Sequence, residues 1–252
     1  MLRTLMTVLV AVLFSTATMA QEILVIKAGS KSGSSAQRNN IYAEVLKEQG
    51  YTVNLTKNMH NDLAIDMYNK AEGPAVLVWI DMLAGKYDVE YSAKEFMGIE
   101  YTVPLFMCQI NAKADKATGI TAIQRNAPKG VISELGYKNQ VPYASSTKVL
   151  NAAIAGEVDF AYTSQSGKKK LGELGKTCEA IPGLNYNAYT IAKNVDSDKF
   201  RSVIKTIIES PQMKKWQEGR GYTNASATWN YEKDLAFVKE AMATWSSARK
   251  AN

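Results

Sequence analysis

The residues best placed for chemistry stand between Lys27 and Arg38, in the stretch KAGSKSGSSAQR. It lies between an apolar run, EILVI, and a segment with helical periodicity. A loop of glycine, serine and lysine at that position points several backbone N–H groups at one spot, and the helix start adds partial positive charge. Such a place holds an anion. The candidate contacts are Gly29, Ser30, Lys31, Ser32, Gly33, Ser34 and Ser35, with Lys31 and Arg38 as sources of charge; Arg38, four residues past Ser34 on the helix, reads alternatively as a surface or interlobe ion-pair partner. The loop carries neither the GxxxxGKS/T nor the GxGxxG pattern, so a nucleotide cofactor is disfavoured and a smaller carboxylate-like or phosphate-like group is expected. The same residues would equally serve as a tight turn with serine caps. From the loop alone the two readings stand level.

Other chemistry is sparse, and no cofactor or metal is expected. His60 is the one histidine, which excludes a multi-histidine metal site and leaves a triad dependent on that residue. Next to a helix start it reads as a capping or solvated side chain. Ser145 to Lys148 has the SxxK spacing of penicillin-recognising enzymes, but the SDN and KTG companions are missing. An exported serine hydrolase using Ser145 and Lys148 is therefore the weaker alternative. Lys168 to Lys170 read as a solvated basic loop, and no basic and aromatic residues interleave as a nucleic-acid surface requires.

The elements that must position these residues follow a leader. Residues 1–20 combine a basic start at Arg3, an apolar run from Leu5 to Phe14 and a small-residue end at Ala20, the layout of a secretory signal peptide. Removing Arg3 with it leaves 29 Lys and Arg against 24 Asp and Glu, a net charge of +5 that suits an anionic ligand or an acidic surface and is equally accounted for by solubility alone. In an exported chain the pair Cys108 and Cys178 points to one disulfide, since their separation excludes CxxC chemistry. Strand signals at EILVIK, YTVNLT and AVLVWI alternate with helical patterns ending at Gly50 and at Gly73-Pro74. Later, PLFMCQINAKA reads as a strand, and Ser145 or Ser146 caps a helix carrying Val149, Leu150, Ala153 and Ile154. VDFAYTS and YNAYTIAK return to strand character. Two helices close the chain, with Phe200, Ile204, Ile207 and Ile208 on one stripe and Leu235, Val238, Met242 and Trp245 on the other. Alternation of this kind specifies an α/β protein with mostly parallel sheets.

The block VPYASSTKVLNAAIAGEVDFAYTS, residues 141–164, resembles the central signature of the solute receptors of the tripartite tricarboxylate transporters. Val141-Pro142-Tyr143, Gly156-Glu157-Val158-Asp159 and Phe160 fall in register with it; Gly33 and Arg38 match the family's first loop and helix, and PQMKKWQEGRGY its late helix. Ser34 stands where the family has an acidic residue, and APKGVISELGYKNQ replaces a Gly-Ser-rich second loop. The resemblance implies a two-lobed type II periplasmic binding protein that is monomeric and closes on a small organic anion, a carboxylate, for delivery to a membrane permease. It places lobe 1 at residues 21–106 and 184–252 and lobe 2 at 107–183, with a Cys108–Cys178 bridge inside lobe 2. Second-lobe contacts are then expected from Tyr143, Ser145, Ser146, Thr147, Thr163, Ser164 and Gln165. A receptor of another importer class, for a phosphonate or sulfonate, is the alternative.

Overall fold

The structure, a computed structural model, describes residues 21–28, 34–81, 89–125, 127–222 and 228–250. Within them the chain runs β1 (Glu22–Ile26), α1 (Ser34–Glu48), β2 (Thr52–Leu55), α2 (Asn61–Asn69), β3 (Ala75–Asp81) and β4 (Phe96–Gln109). There follow β5 (Thr121–Gln124), α3 (Lys129–Glu134), β6 (Gln140–Tyr143), α4 (Ser146–Ile154), β7 (Phe160–Thr163), α5 (Gln165–Glu173) and β8 (Thr177–Lys193). The chain ends with α6 (Ser197–Glu209), α7 (Pro211–Glu218) and α8 (Tyr231–Lys250).

The strands form one sheet in the order β2-β1-β3-β8-β4-β7-β5-β6. Near each edge the pairs are parallel, β1 with β2 and β3, and β5 with β6 and β7. In the middle, β8 and β4 run antiparallel to each other and to their neighbours β3 and β7. The sheet is therefore parallel within each lobe and mixed as a whole, because two long strands cross between the lobes. Their ladder shifts register at three places, between Phe96 and Gly98, Ile99 and Tyr101, and Pro104 and Phe106; the last is the largest, since Pro104 faces Asn185 but Phe106 faces Ala180, so residues 181–184 bow out opposite Leu105. Gly183, at φ 72°, takes the left-handed conformation this bulge needs.

In the first lobe, Tyr42, Val45 and Leu46 of α1, Phe200, Ile204 and Ile207 of α6 and Met213 of α7 cover one face of the sheet. Ala64, Ile65 and Tyr68 of α2 and Val238 of α8 cover the other. Burial on both faces explains the unbroken apolar run of β3, where Val76 and Val78 enter one core and Leu77 and Trp79 the other. In the second lobe Ile132 of α3 packs on one face, while Val149, Ala152 and Ala153 of α4 and Leu171 of α5 pack on the opposite one. Cys108 of β4 and Cys178 of β8 stand directly opposite in register and form the expected disulfide. Leu235 and Met242 of α8 pack half-buried beside Val238; the Trp245 side chain lies outside the described residues.

One reading is corrected. Lys168 to Lys170 belong to α5, not to a loop. That helix buries only Gly167 and Leu171, so it has no apolar stripe from which its period could be read. The expected leader and Gly29, Ser30, Lys31, Ser32 and Gly33 lie outside the described residues; Ser34 and Ser35 open α1, with side chains outside the description.

Candidate ligand site between the lobes

Two second-lobe helices start at the same place. Ser145 is the N-cap of α4, and its Oγ accepts the Lys148 N–H at 3.3 Å. One first-turn donor is thereby satisfied, and the amides of Ser146 and Thr147 have no acceptor within the helix. Gly156, at φ 72°, closes the other end of α4, the Glu157 N–H returning to the Ala152 carbonyl at 3.0 Å. The helix α5 begins after Ser164, whose hydroxyl does not cap it but lies 3.2 Å from Ser166 Oγ. The first amides of α5, from Gln165 to Gly167, are thus also without intrahelical acceptors. Gly167 is what lets α5 sit so close to β7: a Cβ there would overlap Thr163 Oγ1 and stand 3.0 Å from Thr163 Cβ.

These helix starts wall a cleft of about 510 Å³, lined on this side by Ser146, Thr147, Leu150, Thr163, Ser164, Ser166, Gly167, Lys169, Lys170 and Glu173. The facing wall comes from the turn after α7, with Gly219, Arg220 and Tyr222. Ser210 caps α7 by accepting the Met213 N–H at 3.2 Å, and Met213 and Trp216 bury its inner face against the first-lobe core. Tyr222 then stacks on Tyr101, ring centroids 4.4 Å apart, which fastens the turn to the crossing strand β4. The Arg220 guanidinium lies over the Trp216 ring at 4.4 Å and donates to Gln37 Oε1 at 2.9 Å. Partial burial lowers the Arg220 pKa, an effect opposed by Tyr222 and Tyr101. The two walls nearly touch at Gly221, where an added Cβ would stand 3.5 Å from Gln165 Cγ.

Of the expected site residues, Ser146, Thr147, Thr163 and Ser164 line this cleft. Gln165 meets the opposite wall at Gly221, and Ser145 acts as a helix cap. Tyr143, on β6, packs half-buried against the second-lobe core. Of the two readings of Arg38 the structure has the ion pair, in the interior instead of at the surface or between the lobes: Arg38 is 0% exposed, with Nη1 2.5 Å from Glu100 Oε1 and Nη2 donating to Asn39 Oδ1 at 2.5 Å, so it is corrected from a source of loop charge to a buried structural group. Tyr42 also donates to Glu100, as does Thr190 at 3.0 Å. Burial, then the Glu100 charge, pushes the Tyr42 pKa well up, so the phenol remains a donor. Sequence reasoning missed Lys169, Lys170, Glu173, Arg220 and Tyr222. The lysine run was visible but could not be placed without the helix. The Gly219-Arg220-Gly221 turn lay within the block matched to the family's late helix, but nothing in that match pointed to a place on the cleft. Among the described residues no cluster of three His, Cys, Asp or Glu could hold a metal, and no helix is long and apolar enough to cross a membrane.

Two lobes built on one sheet, joined by two crossing strands around a cleft walled by helix starts, define the fold of a type II periplasmic binding protein. Solved structures agree. A TctC solute-binding protein from Polaromonas superposes with a TM-score of 0.65 at 11% identity, over 94% of this chain and 100% of that one. A Rhodopseudomonas palustris protein with adipate gives 0.63 at 13% identity, over 93% and 97% of the two chains. MatC from Rhodopseudomonas palustris, with bound malate, gives 0.60 at 11% identity, over 92% and 99%. No family model and no curated protein sequence matches the chain.

Proposed function

We propose that this protein is a periplasmic receptor of the tripartite tricarboxylate transporter type, which captures a small organic carboxylate between its lobes and delivers it to a membrane permease. The observation that carries this reading is the convergence of the α4 and α5 starts on one cleft. Their uncapped amides and the adjacent Lys169 and Lys170 favour negative charge, while Ser146, Thr147, Thr163 and Ser164 add hydroxyl donors. Structures of like fold hold malate and adipate, ligands of a size suited to such a cleft. A ligand touching both walls stabilises the closed arrangement, and only that differential contact drives closure. The first loop, Gly29 to Ser35, is the proposed first-lobe contact. The lobes divide near residues 106 and 183, beside the largest register shift of the crossing ladder. The protein acts as a monomer and binds without turnover; Ser145 is engaged as a helix cap in place of the nucleophile that the SxxK spacing suggested.

The test is a thermal-shift screen of the oxidised chain against mono-, di- and tricarboxylates, amino acids, phosphonates and sulfonates. A ligand at 100 times its Kd should add about 2.7 kcal/mol. A selective carboxylate response, lost when Gly167→Val drives Thr163 from its position, supports the reading. Response to phosphonates or sulfonates alone moves it to another importer class, and no response to any anion overturns it.

A further inference from the structure

Arg220 is held as a pre-set anion grip. It follows the C-cap of α7, and the turn behind it is fixed by three backbone bonds: Arg220 N–H and Tyr222 N–H to the Gln217 carbonyl at 3.0 and 2.9 Å, and Gly221 N–H to the Glu218 carbonyl at 2.9 Å. Its guanidinium carbon lies 4.4 Å over the Trp216 ring, while Nη1 donates to the Trp216 carbonyl at 3.3 Å and Nη2 to Gln37 Oε1 at 2.9 Å. These two bonds use two of its five N–H donors. Among the described residues it forms no ion pair, although it is half-buried and lines the cleft opposite Lys169 and Lys170. A cation held in place with no carboxylate partner among the described residues, next to Gly221 where the two walls approach, is arranged for a carboxylate that arrives from outside.

We propose that Arg220 grips the distal carboxylate of a dianionic ligand whose other end sits at the starts of α4 and α5, and so sets selectivity for two charged ends over one. Gln37 is its positioning residue. It acts from α1, so the helix that opens at the first loop also aims the fork across the cleft. A planar guanidinium meets a carboxylate through two parallel bonds, which a lysine in its place cannot reproduce. This inference rests on the receptor reading but adds a residue and a selectivity to it.

The experiment is calorimetric titration of the full mature chain with four- to six-carbon dicarboxylates and with monocarboxylates of the same lengths. Arg220→Gln should weaken the dicarboxylates about 10- to 100-fold, the usual weight of a charge-assisted hydrogen bond, and change the monocarboxylates by less than about threefold. Arg220→Lys should fall between Arg220→Gln and the wild type. Gln37→Glu should place a carboxylate of the chain on Arg220 and depress dicarboxylate affinity nearly as far, with the ligand-free melting temperature unchanged or raised; a merely structural glutamine would not shift the selectivity ratio. If the wild type binds dicarboxylates and Arg220→Gln or Gln37→Glu leaves the ratio to monocarboxylates intact, the inference is overturned while the receptor reading stands. If the wild type binds none of these acids, the inference is overturned, and the receptor reading falls with it when the wider anion screen is also blank.

Discussion

The first lobe seats two arginines on tryptophans. Arg38 lies 4.2 Å over Trp79 and Arg220 lies 4.4 Å over Trp216, so their aromatic platforms are nearly the same. What separates them is the anion. Arg38 is fully buried and meets Glu100 of the same chain, with Asn39, Tyr42 and Thr190 completing the network. Arg220 is half-buried, among the described residues meets only neutral oxygens, those of Gln37 and Trp216, and opens on the cleft. The contrast shows how one residue type is divided between holding a fold and waiting for a ligand. A guanidinium whose counter-charge is internal has no free affinity to offer, whereas one held in place without a counter-charge does.

The largest expected effect breaks the internal pair. Glu100→Gln leaves Arg38 buried without its counter-charge and should cost about 3–5 kcal/mol, read as a fall in the urea midpoint. Replacing both partners by apolar residues of similar volume, Arg38→Met with Glu100→Met, should recover most of that loss, because the desolvation of two charges is removed together. A double variant as unstable as the single one would mean that the polar network, rather than the charge balance, holds α1 to β4. Next comes Gly167→Ala, which forces Thr163 off its position and should cost about 1–3 kcal/mol in the thermal melt. Arg220→Gln in the ligand-free protein should cost under about 1 kcal/mol, since a partly exposed cation without an ion pair contributes little to stability.

The smallest effect lies at the exposed extreme, where His60 bonds to Asp62 at the start of α2. The His60 contact holds the Asp62 carboxyl below the ordinary carboxylate range. A lowered folded-state pKa stabilises the fold above the unfolded value, and that contribution is lost as pH falls through the lowered one. His60→Ala should therefore return the Asp62 titration, followed by NMR, toward its ordinary position with little change in melting temperature. A large change would remove the gradient from buried to exposed pairs on which the comparison rests.

Much of the fold could be read before any coordinates. The strand, helix, strand order of the first lobe came from periodicities of two and 3.6 and from the stops at Gly50 and Gly73-Pro74. The α4 cap at Ser145 and the stripe of Phe200, Ile204, Ile207 and Ile208 are local features and appear where expected. Strand β5, helix α3 and the first half of β4 passed unread. The first two are only four and six residues long, and β4 is buried on both faces, so its pattern does not alternate. The site was half legible. Ser146, Thr147, Thr163 and Ser164 follow from the strand-to-helix junctions, but their facing wall comes from a turn more than fifty residues further along the chain.

By itself the sequence determined the elements, the caps and the lobe-forming alternation, because these depend on neighbours within a few residues. Tertiary structure alone decided three other matters. It seated α5 against β7 at Gly167, where no side chain larger than hydrogen fits beside Thr163, and it brought Arg220 opposite Lys169 and Lys170. It also assigned Arg38 to the interior and Arg220 to the cleft. The physical reason is that an arginine's role depends on which carboxylate reaches it, and Glu100 stands 62 residues from Arg38 along the chain.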